Sequence, residues 1–568
     1  MSLQASEPLA AENPLRETES IPYWMLVAAL FALAAFVFFV NLWRYGLWEP
    51  DEARYAEIAR EMVESRDYLV PHLNYLAYVE KPPLLYWITT LSFDAFGINE
   101  FAARVPVALS ALVGVLTTFY FTLRTYGRRH AILAGAILAT MPLYLVMAQV
   151  LTTDMMLTCF TTIASFAMYL HWREGGRWCW LGYLAMALAV MTKGPVGAAI
   201  PIVAMAGFLV WQRELRGVLS RFHAIAGAAL LIALCAPWFV IMTIREPGYF
   251  DFYFIGEHLR RAFVPDYSHA ESFYFYLPVI VAGALPWSLM VPLLTWRGAP
   301  KNPARRFCLG AAILIVAMFS ASSAKLIPYV LPAFPFLAVL IADGIASCIW
   351  PQPGALRPPD TRILVESGGL LILMGISAAV AAAIANHLRT PYVIAARPAL
   401  FAIAAVFIAF GAVATMLFLR RRATLGITAV VAAMAAAFFA GTFARIELEP
   451  LRSYAALSRA IAARTSDASI LCYHRYVQGL AFYNRRRVML LGPRTELDFG
   501  SRLDPDANDW FLIGDPALYE WWQQPGSKII VLDADDLDRM KPQLGNFELV
   551  ASEGHKRAII NGATATSR

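Results

Sequence analysis

The stretch Trp48-Glu49-Pro50-Asp51-Glu52-Ala53-Arg54-Tyr55-Ala56-Glu57-Ile58-Ala59-Arg60-Glu61-Met62 is too polar to span a bilayer and too periodic for a loose loop. Tyr55, Ile58, Ala59 and Met62 recur at i, i+3, i+4 and i+7, which gathers them on one helical face and leaves Arg54, Glu57, Glu61 and Glu64 on the other. Such a helix is expected to lie along the membrane surface. Asp51 follows Pro50 where the N-cap of that helix is expected, and Arg54, three residues on, makes no capping box. Two readings stand for Asp51. It is a plain cap, or it is a free carboxylate at the membrane boundary, as a site for an anionic lipid substrate requires.

Outward from this segment the chain turns apolar. Hydrophobic residues make up 59% of the 568 and charged residues 15%, so lipid is the main solvent. About thirteen runs are long enough to cross the hydrocarbon core: 21–43, 103–123, 131–150, 153–171, 178–193, 195–212, 223–244, 274–295, 307–322, 326–348, 363–385, 399–419 and 424–443. Two breaks, at Lys193-Gly194-Pro195 and Ser322-Ser323-Ala324-Lys325, set the parity of that count. The leader 1–20 carries no cleavage site ahead of Trp43, so the first run reads as a retained helix. With a cytoplasmic N-terminus every second loop is basic (Arg124, Arg128 and Arg129; Arg173 and Arg177; Arg213, Arg216 and Arg221; Arg297 to Arg306; Arg357 and Arg362; Arg420 to Arg422), which is the positive-inside pattern. The loop 44–102, the turn at Asp154, the loop 245–273, Lys325 and everything beyond Arg445 then lie outside.

After residue 443 no spanning run remains. Short apolar strands at Ser469–Cys472, Val488–Leu491, Trp510–Ile513 and Lys528–Leu532 alternate with helical patterns at Tyr454–Ala463, Val477–Asn484 and Asp515–Gln523. That alternation predicts a small α/β domain over 444–568, without a Gly-rich phosphate loop and suited to packing or lid duty. The six cysteines are scattered with no CxxC spacing, which predicts neither a disulfide framework nor a thiolate metal site. No basic block is interleaved with aromatics, which argues against nucleic acid as a partner.

Several polar groups fall on the outer face. In Tyr78-Val79-Glu80-Lys81-Pro82-Pro83-Leu84 the prolines fix the backbone and hold Lys81 near the bilayer. There it either snorkels to lipid phosphate or pairs with the phosphate of a lipid-linked substrate. Asp154 opens a span, either as a cap or as a reacting carboxylate. Lys193 and Lys325 sit at breaks between spans, where a charge at depth is a functional candidate. Glu257-His258-Leu259-Arg260-Arg261 adds cations, and Phe273 to Tyr276 form an interface belt. Glu80, Glu257, His258 and His269 match no zinc spacing, so neither a metal nor a cofactor is expected.

The first-loop segment, with Asp67-Tyr68-Leu69-Val70-Pro71 and Glu80-Lys81-Pro82-Pro83 behind it, closely resembles the bacterial lipid A 4-amino-4-deoxy-L-arabinose transferases. These GT-C class glycosyltransferases are relatives of the protein O-mannosyltransferases. Thr192-Lys193-Gly194-Pro195, Lys325-Leu326-Ile327-Pro328-Tyr329, Tyr276-Leu277-Pro278 and Leu285-Pro286-Trp287 look like that family too. The resemblance implies a polytopic helical enzyme of GT-C type in the inner membrane, with its active site and C-terminal α/β domain in the periplasm. It would take aminoarabinose from undecaprenyl phosphate and place it on a lipid A phosphate, lowering outer-membrane negative charge and giving resistance to cationic peptides such as polymyxin. On this basis Asp51, Glu52 and Asp154 are the expected catalytic residues. Lys81, Arg54, Arg260, Arg261, Lys193 and Lys325 would bind the donor phosphate, with Tyr55, Tyr78, Glu80, His258 and Tyr329 lining the pocket.

The acceptor bears on Asp51. A hydroxyl acceptor needs a general base, whereas a phosphate with a second pKa of roughly 6 is already anionic near neutrality. Positioning, or stabilisation of oxocarbenium-like charge in one inverting displacement, is then the expected task. Transfer to protein or another glycan is the nearest alternative. A lipid-linked sugar flippase would instead show charges spread through the spans and an internal repeat, and neither is evident.

Overall fold

The structure, a computed structural model, describes residues 22–260, 271–291, 302–350 and 362–562. Among the described residues seven helices are long and apolar enough to cross a membrane: Glu100–Tyr126, Ala224–Arg245, Pro303–Ala321, Ile327–Ile349, Arg362–Ala383, Arg397–Leu419 and Ala423–Arg452. Tyr23–Phe39, Trp178–Lys193 and Val196–Gln212 are shorter apolar helices. The remaining expected runs are helical as well, but broken or less apolar. Residues 131–150 divide into Arg128–Thr140 and Pro142–Met147, because Pro142 cannot continue the first helix and starts the second. Residues 153–171 lie within Thr153–Glu174. The run from 274 becomes Tyr276–Gly283 and a 3-10 turn at Trp287–Met290.

Both suspected breaks are present. Trp178–Lys193 ends where Gly194 takes φ +84°, a conformation that costs glycine little, and Pro195 follows. Pro303–Ala321 is separated by Ser322–Lys325 from the 3-10 segment Ile327–Ala333, which leads into Phe334–Ile349. Without a hydrophobic drive between helices in lipid, close approach depends on small residues. A Cβ on Gly375 would lie 2.8 Å from the Ala404 carbonyl oxygen, which shows how tightly Arg362–Ala383 and Arg397–Leu419 pack. Deeper in the bundle Phe121 stacks on Phe166 with ring centroids 3.9 Å apart, and Phe307 and Tyr169 close around them.

The first loop contains helix Asp51–Ser65, a hairpin of strands β1 (His72–Leu73) and β2 (Leu76–Ala77), and helix Leu84–Phe96. The C-terminal domain carries strands β3 (Ser469–Tyr473), β4 (Met489–Leu491), β5 (Phe511–Leu512), β6 (Lys528–Asp533), β7 (Phe547–Glu553) and β8 (Lys556–Asn561), in the order β5-β4-β3-β6-β8-β7. β3 to β6 are parallel, while β8 and β7 add an antiparallel edge. The four expected strands are those of the parallel part; the last hairpin was not anticipated. The final spanning helix runs on to Arg452, past the expected boundary near 444, because Glu447, Glu449 and Arg452 continue it above the apolar stretch.

The polar face of helix Asp51–Ser65 is covered by protein: Glu52, Glu57, Arg60 and Glu61 are all buried. Arg60 clamps Glu57 bidentately at 2.6 and 2.8 Å and also binds Glu64. Tyr476, in the segment after β3, faces Glu57 and Glu61, and helix Gln478–Asn484 packs against the Asp51 helix. The C-terminal domain thus roofs the helix that the membrane bundle supports from below.

Candidate functional site

Asp51 is the first residue of its helix, and the N-cap is Pro50, in αR conformation with no side-chain cap. The capping reading is therefore wrong for this carboxylate, whose side chain is 53% exposed with Arg54 Nη1 3.7 Å away. The Arg54 Nε lies 3.4 Å from Glu496 Oε1, and Gln478 donates to the same oxygen. Glu496, from the C-terminal domain, stands close enough to Asp51 and Glu80 for their charges to be felt. Burial raises its pKa against the pull of Arg54. Neither Glu496 nor Gln478 was expected, since nothing local marks an acid in a polar domain as belonging to a distant loop.

Next to this trio Tyr78 donates to Glu80 Oε2 at 2.9 Å and Lys81 Nζ donates to the Glu80 carbonyl at 3.1 Å. Pro82 and Pro83 introduce a helix at Leu84 and so fix Lys81 three residues before the helix starts. Burial, then Asp51, keeps the Tyr55 hydroxyl protonated, and burial, then Glu80, does the same for Tyr78. Both remain hydrogen-bond donors. Tyr55 also senses Arg54, Asp154 and Glu80, so residues from three separate stretches meet around one ring. Asp154 takes a 2.5 Å bond from Lys193, and the Lys193 ammonium rests 4.4 Å from the Tyr329 ring centre. The fully buried Tyr86 hydroxyl finds no partner among the described residues and faces Tyr55, Glu80 and Arg54.

Other expected members stand apart. Glu52 is buried and bound bidentately by Arg104 at 2.8 and 2.8 Å, and it also accepts from the Trp48 and Leu151 backbone N–H groups at 3.1 Å each. With both oxygens so engaged it has none to offer a substrate. Lys325 donates to the carbonyls of Glu271 and Ser322 at 2.8 and 2.6 Å, which ties off the break before the next span. The side chains of His258 and Arg260, and all of Arg261, lie outside the described residues. Among the described residues no three His, Cys, Asp or Glu side chains gather as a metal set.

Beside Leu84 opens an apolar cavity of about 320 Å³, lined by Leu69, Leu84, Trp87, Leu184, Leu188, Met191, Leu234 and Trp238 among others. Trp238 and Trp87 donate to the Leu69 and Tyr68 carbonyls at 3.0 and 2.6 Å, pinning the loop that forms its rim.

Glu49 is half-buried, with Oε1 accepting from Gly479 N–H at 2.7 Å and Oε2 buried and unpartnered among the described residues. Burial pushes its pKa up to about 8, against the Gly479 bond and the cations Lys556 and Arg54, with Glu496 adding to the rise. A carboxyl raised in this way favours the folded state below its ordinary pKa and loses that contribution as pH rises through about 8. Melting temperature is thus expected to decline between pH 5 and 8, and Glu49→Gln to flatten the decline. An identical slope in the variant, followed by thermal unfolding in detergent, would remove Glu49 as its source.

Several spanning helices carry a loop-borne polar cluster and an α/β domain, and the chain is a multi-pass membrane protein with a GT-C type fold. Residues 80–241 match the family model described as dolichyl-phosphate-mannose-protein mannosyltransferase. The chain is 34% identical over 327 residues to an undecaprenyl phosphate-alpha-4-amino-4-deoxy-L-arabinose arabinosyl transferase of Erwinia tasmaniensis, covering 56% of this chain and 58% of that protein. The equivalent protein of Edwardsiella ictaluri is 32% identical over 367 residues, covering 63% and 65%. The chain thus spans somewhat over half the length of these curated relatives. The crystal structure of ArnT from Cupriavidus metallidurans bound to undecaprenyl phosphate superposes with a TM-score of 0.84 at 27% identity, covering 95% of this chain and 99% of that one.

Proposed function

We propose that this protein transfers 4-amino-4-deoxy-L-arabinose from undecaprenyl phosphate to a phosphate of lipid A, at the periplasmic face of the inner membrane. The observation that carries the reading is the Asp51, Arg54, Tyr55, Tyr78, Glu80, Lys81, Asp154 and Lys193 cluster, with an apolar groove lined by Leu84, three residues beyond Lys81. In this reading the groove receives the first isoprene units of the donor lipid, with its phosphate turned toward Lys81. The names of the relatives support this donor.

In the proposed reaction an acceptor phosphate oxygen attacks the anomeric carbon as the bond from that carbon to the undecaprenyl phosphate oxygen breaks. The bonding pair leaves on the lipid phosphate, where Lys81 stabilises the charge. Asp51, free of structural duties, faces the sugar, orients it and offsets positive charge developing on the ring. Protonated Tyr55 and Tyr78 supply donors. Glu496 and Glu80 add carboxylates suited to the ammonium of an amino sugar.

The test is transfer by purified protein from undecaprenyl phosphate-aminoarabinose, with lipid A or a peptide as acceptor and products read by mass spectrometry. Addition to lipid A supports the reading; addition to peptide alone replaces it with a protein glycosyltransferase, and bilayer translocation without transfer replaces it with a flippase. In the same assay Lys81→Ala is expected to raise the KM for the lipid donor by about ten- to a hundredfold, from loss of one charge-assisted contact worth roughly 1.5–3 kcal/mol. An unchanged KM would leave Lys81 a snorkelling residue.

A further inference from the structure

We propose that Glu49 is a positioning residue: docked in the C-terminal domain, it sets the placement of Asp51 two residues further on, so that the domain holds the reacting loop in register. This rests on the role of Asp51 given above. The approach to the Asp51 helix is pinned from several directions. Leu47 N–H donates to the Tyr483 hydroxyl at 2.8 Å, and that hydroxyl donates onward to Glu100 at the start of a spanning helix, at 3.1 Å. Glu49 N–H donates to the carbonyl of Arg452, the last residue of the final spanning helix, at 2.9 Å. The Glu49 side chain takes the Gly479 N–H at 2.7 Å. Buried Lys556, whose ammonium donates to the Ser453 carbonyl, lies near enough for its charge to act on the Glu49 carboxyl. A loop fixed by the bundle below and the domain above has little freedom left at Asp51.

Gly479 adds an independent observation. It lies in helix Gln478–Asn484, where alanine suits the backbone, yet a Cβ there would stand 2.5 Å from Glu49 Oε1 and touch little else, with Ala53 Cβ at 3.8 Å. The glycine makes room for this carboxyl group. The place is also meaningful in the fold. From β3 the chain proceeds outward to β4 and β5, then returns to β6 on the other side of β3, and sheets of this kind bind ligands beyond the carboxyl end of a strand at such a reversal. Here the segment just after β3 receives Glu49, a side chain of the same polypeptide.

The experiment combines transfer kinetics with hydrogen exchange on the full-length protein, using Glu49→Ala, Glu49→Gln, Gly479→Ala and the double variant Glu49→Ala/Gly479→Ala. A displacement of the loop by a fraction of an ångström to 1 Å is expected to lower kcat about tenfold or more, with donor KM changed less than about twofold, in Glu49→Ala and in Gly479→Ala. Glu49→Gln keeps an acceptor for Gly479 N–H and retains most of kcat. In the double variant the added methyl occupies the vacated space, so the losses are far from additive. Exchange is expected to rise across residues 46–56 in both single variants. Unchanged exchange there overturns the proposal whether or not the wild type transfers sugar, as do unchanged kcat or additive losses in an active wild type. An inactive wild type with raised exchange in the variants overturns only the assigned reaction and keeps the coupling between domain and loop.

Discussion

Asp51→Asn is expected to lower kcat for sugar transfer by about 10²- to 10³-fold, the usual effect of removing one group that stabilises developing charge, with the melting temperature essentially unmoved. The two parts of that expectation come from the same geometry. Asp51 occupies the first helical turn with its side chain 53% exposed and, among the described residues, makes one long ion pair with Arg54, which Glu496 also holds. An exposed acid at a helix start contributes roughly 0.3–1 kcal/mol through the helix dipole, so its replacement by asparagine leaves the fold intact. Turnover near that of the wild type, measured with purified donor and lipid A, would return Asp51 to the status of a first-turn charge. The acceptor supplies a second mark. A phosphate gains its second negative charge near pH 6, so kcat/KM should rise through that pH in the wild type. The residual activity of Asp51→Asn should keep the same rising limb, because the limb belongs to the acceptor. A limb lost with Asp51 would assign it the proton instead.

Much of the bundle was legible because lipid leaves only one solution for an apolar run: each of the thirteen runs contains helix, and Gly194-Pro195 and Ser322–Lys325 break it as their backbone chemistry requires. The parallel strands were legible from apolar runs alternating with helical ones. The environment of the Asp51 helix was not. Periodicity identifies its apolar face, yet it cannot say whether the other face meets water or protein, and the residues that cover it come from the far end of the chain. Tyr476, Gln478 and Glu496 carry no local mark of that role. Glu57 and Arg60 carried a weak one, since an acid and a base spaced to pair within the helix satisfy each other without water. Arg104 was the stronger missed signal: a single arginine at the head of an apolar run demands a buried partner, and Glu52 is that partner.

Arg104→Met is expected to destabilise the protein by about 3–5 kcal/mol, the usual effect of leaving one member of a buried ion pair uncompensated, and Glu52→Gln by somewhat less. All five N–H groups of the Arg104 guanidinium are engaged: two with Glu52, and three with the carbonyls of Leu42, Tyr45 and Gly46 at 2.8, 2.9 and 3.1 Å. The Tyr45 ring lies 3.8 Å from it. Burial alone would raise the Glu52 pKa, but Arg104 and the two backbone N–H groups hold it below its ordinary 4.5. A depressed carboxylate stabilises the folded state above its unfolded pKa and loses that effect as pH falls through the lower folded value, so Glu52→Gln should show a shallower acid limb of unfolding below about 4.5. Buried ion pairs are often replaced by apolar residues without loss. This one should resist even a paired apolar replacement, because it also satisfies three carbonyls and two N–H groups of the segments that carry Asp51 and Asp154. Turnover per folded molecule in Glu52→Gln separates this role from the catalytic one that the resemblance implied. A variant with the wild-type melting temperature and no turnover would make Glu52 a reacting group, whereas a lowered melting temperature with turnover largely retained makes it the buckle that holds Asp51 over the bundle.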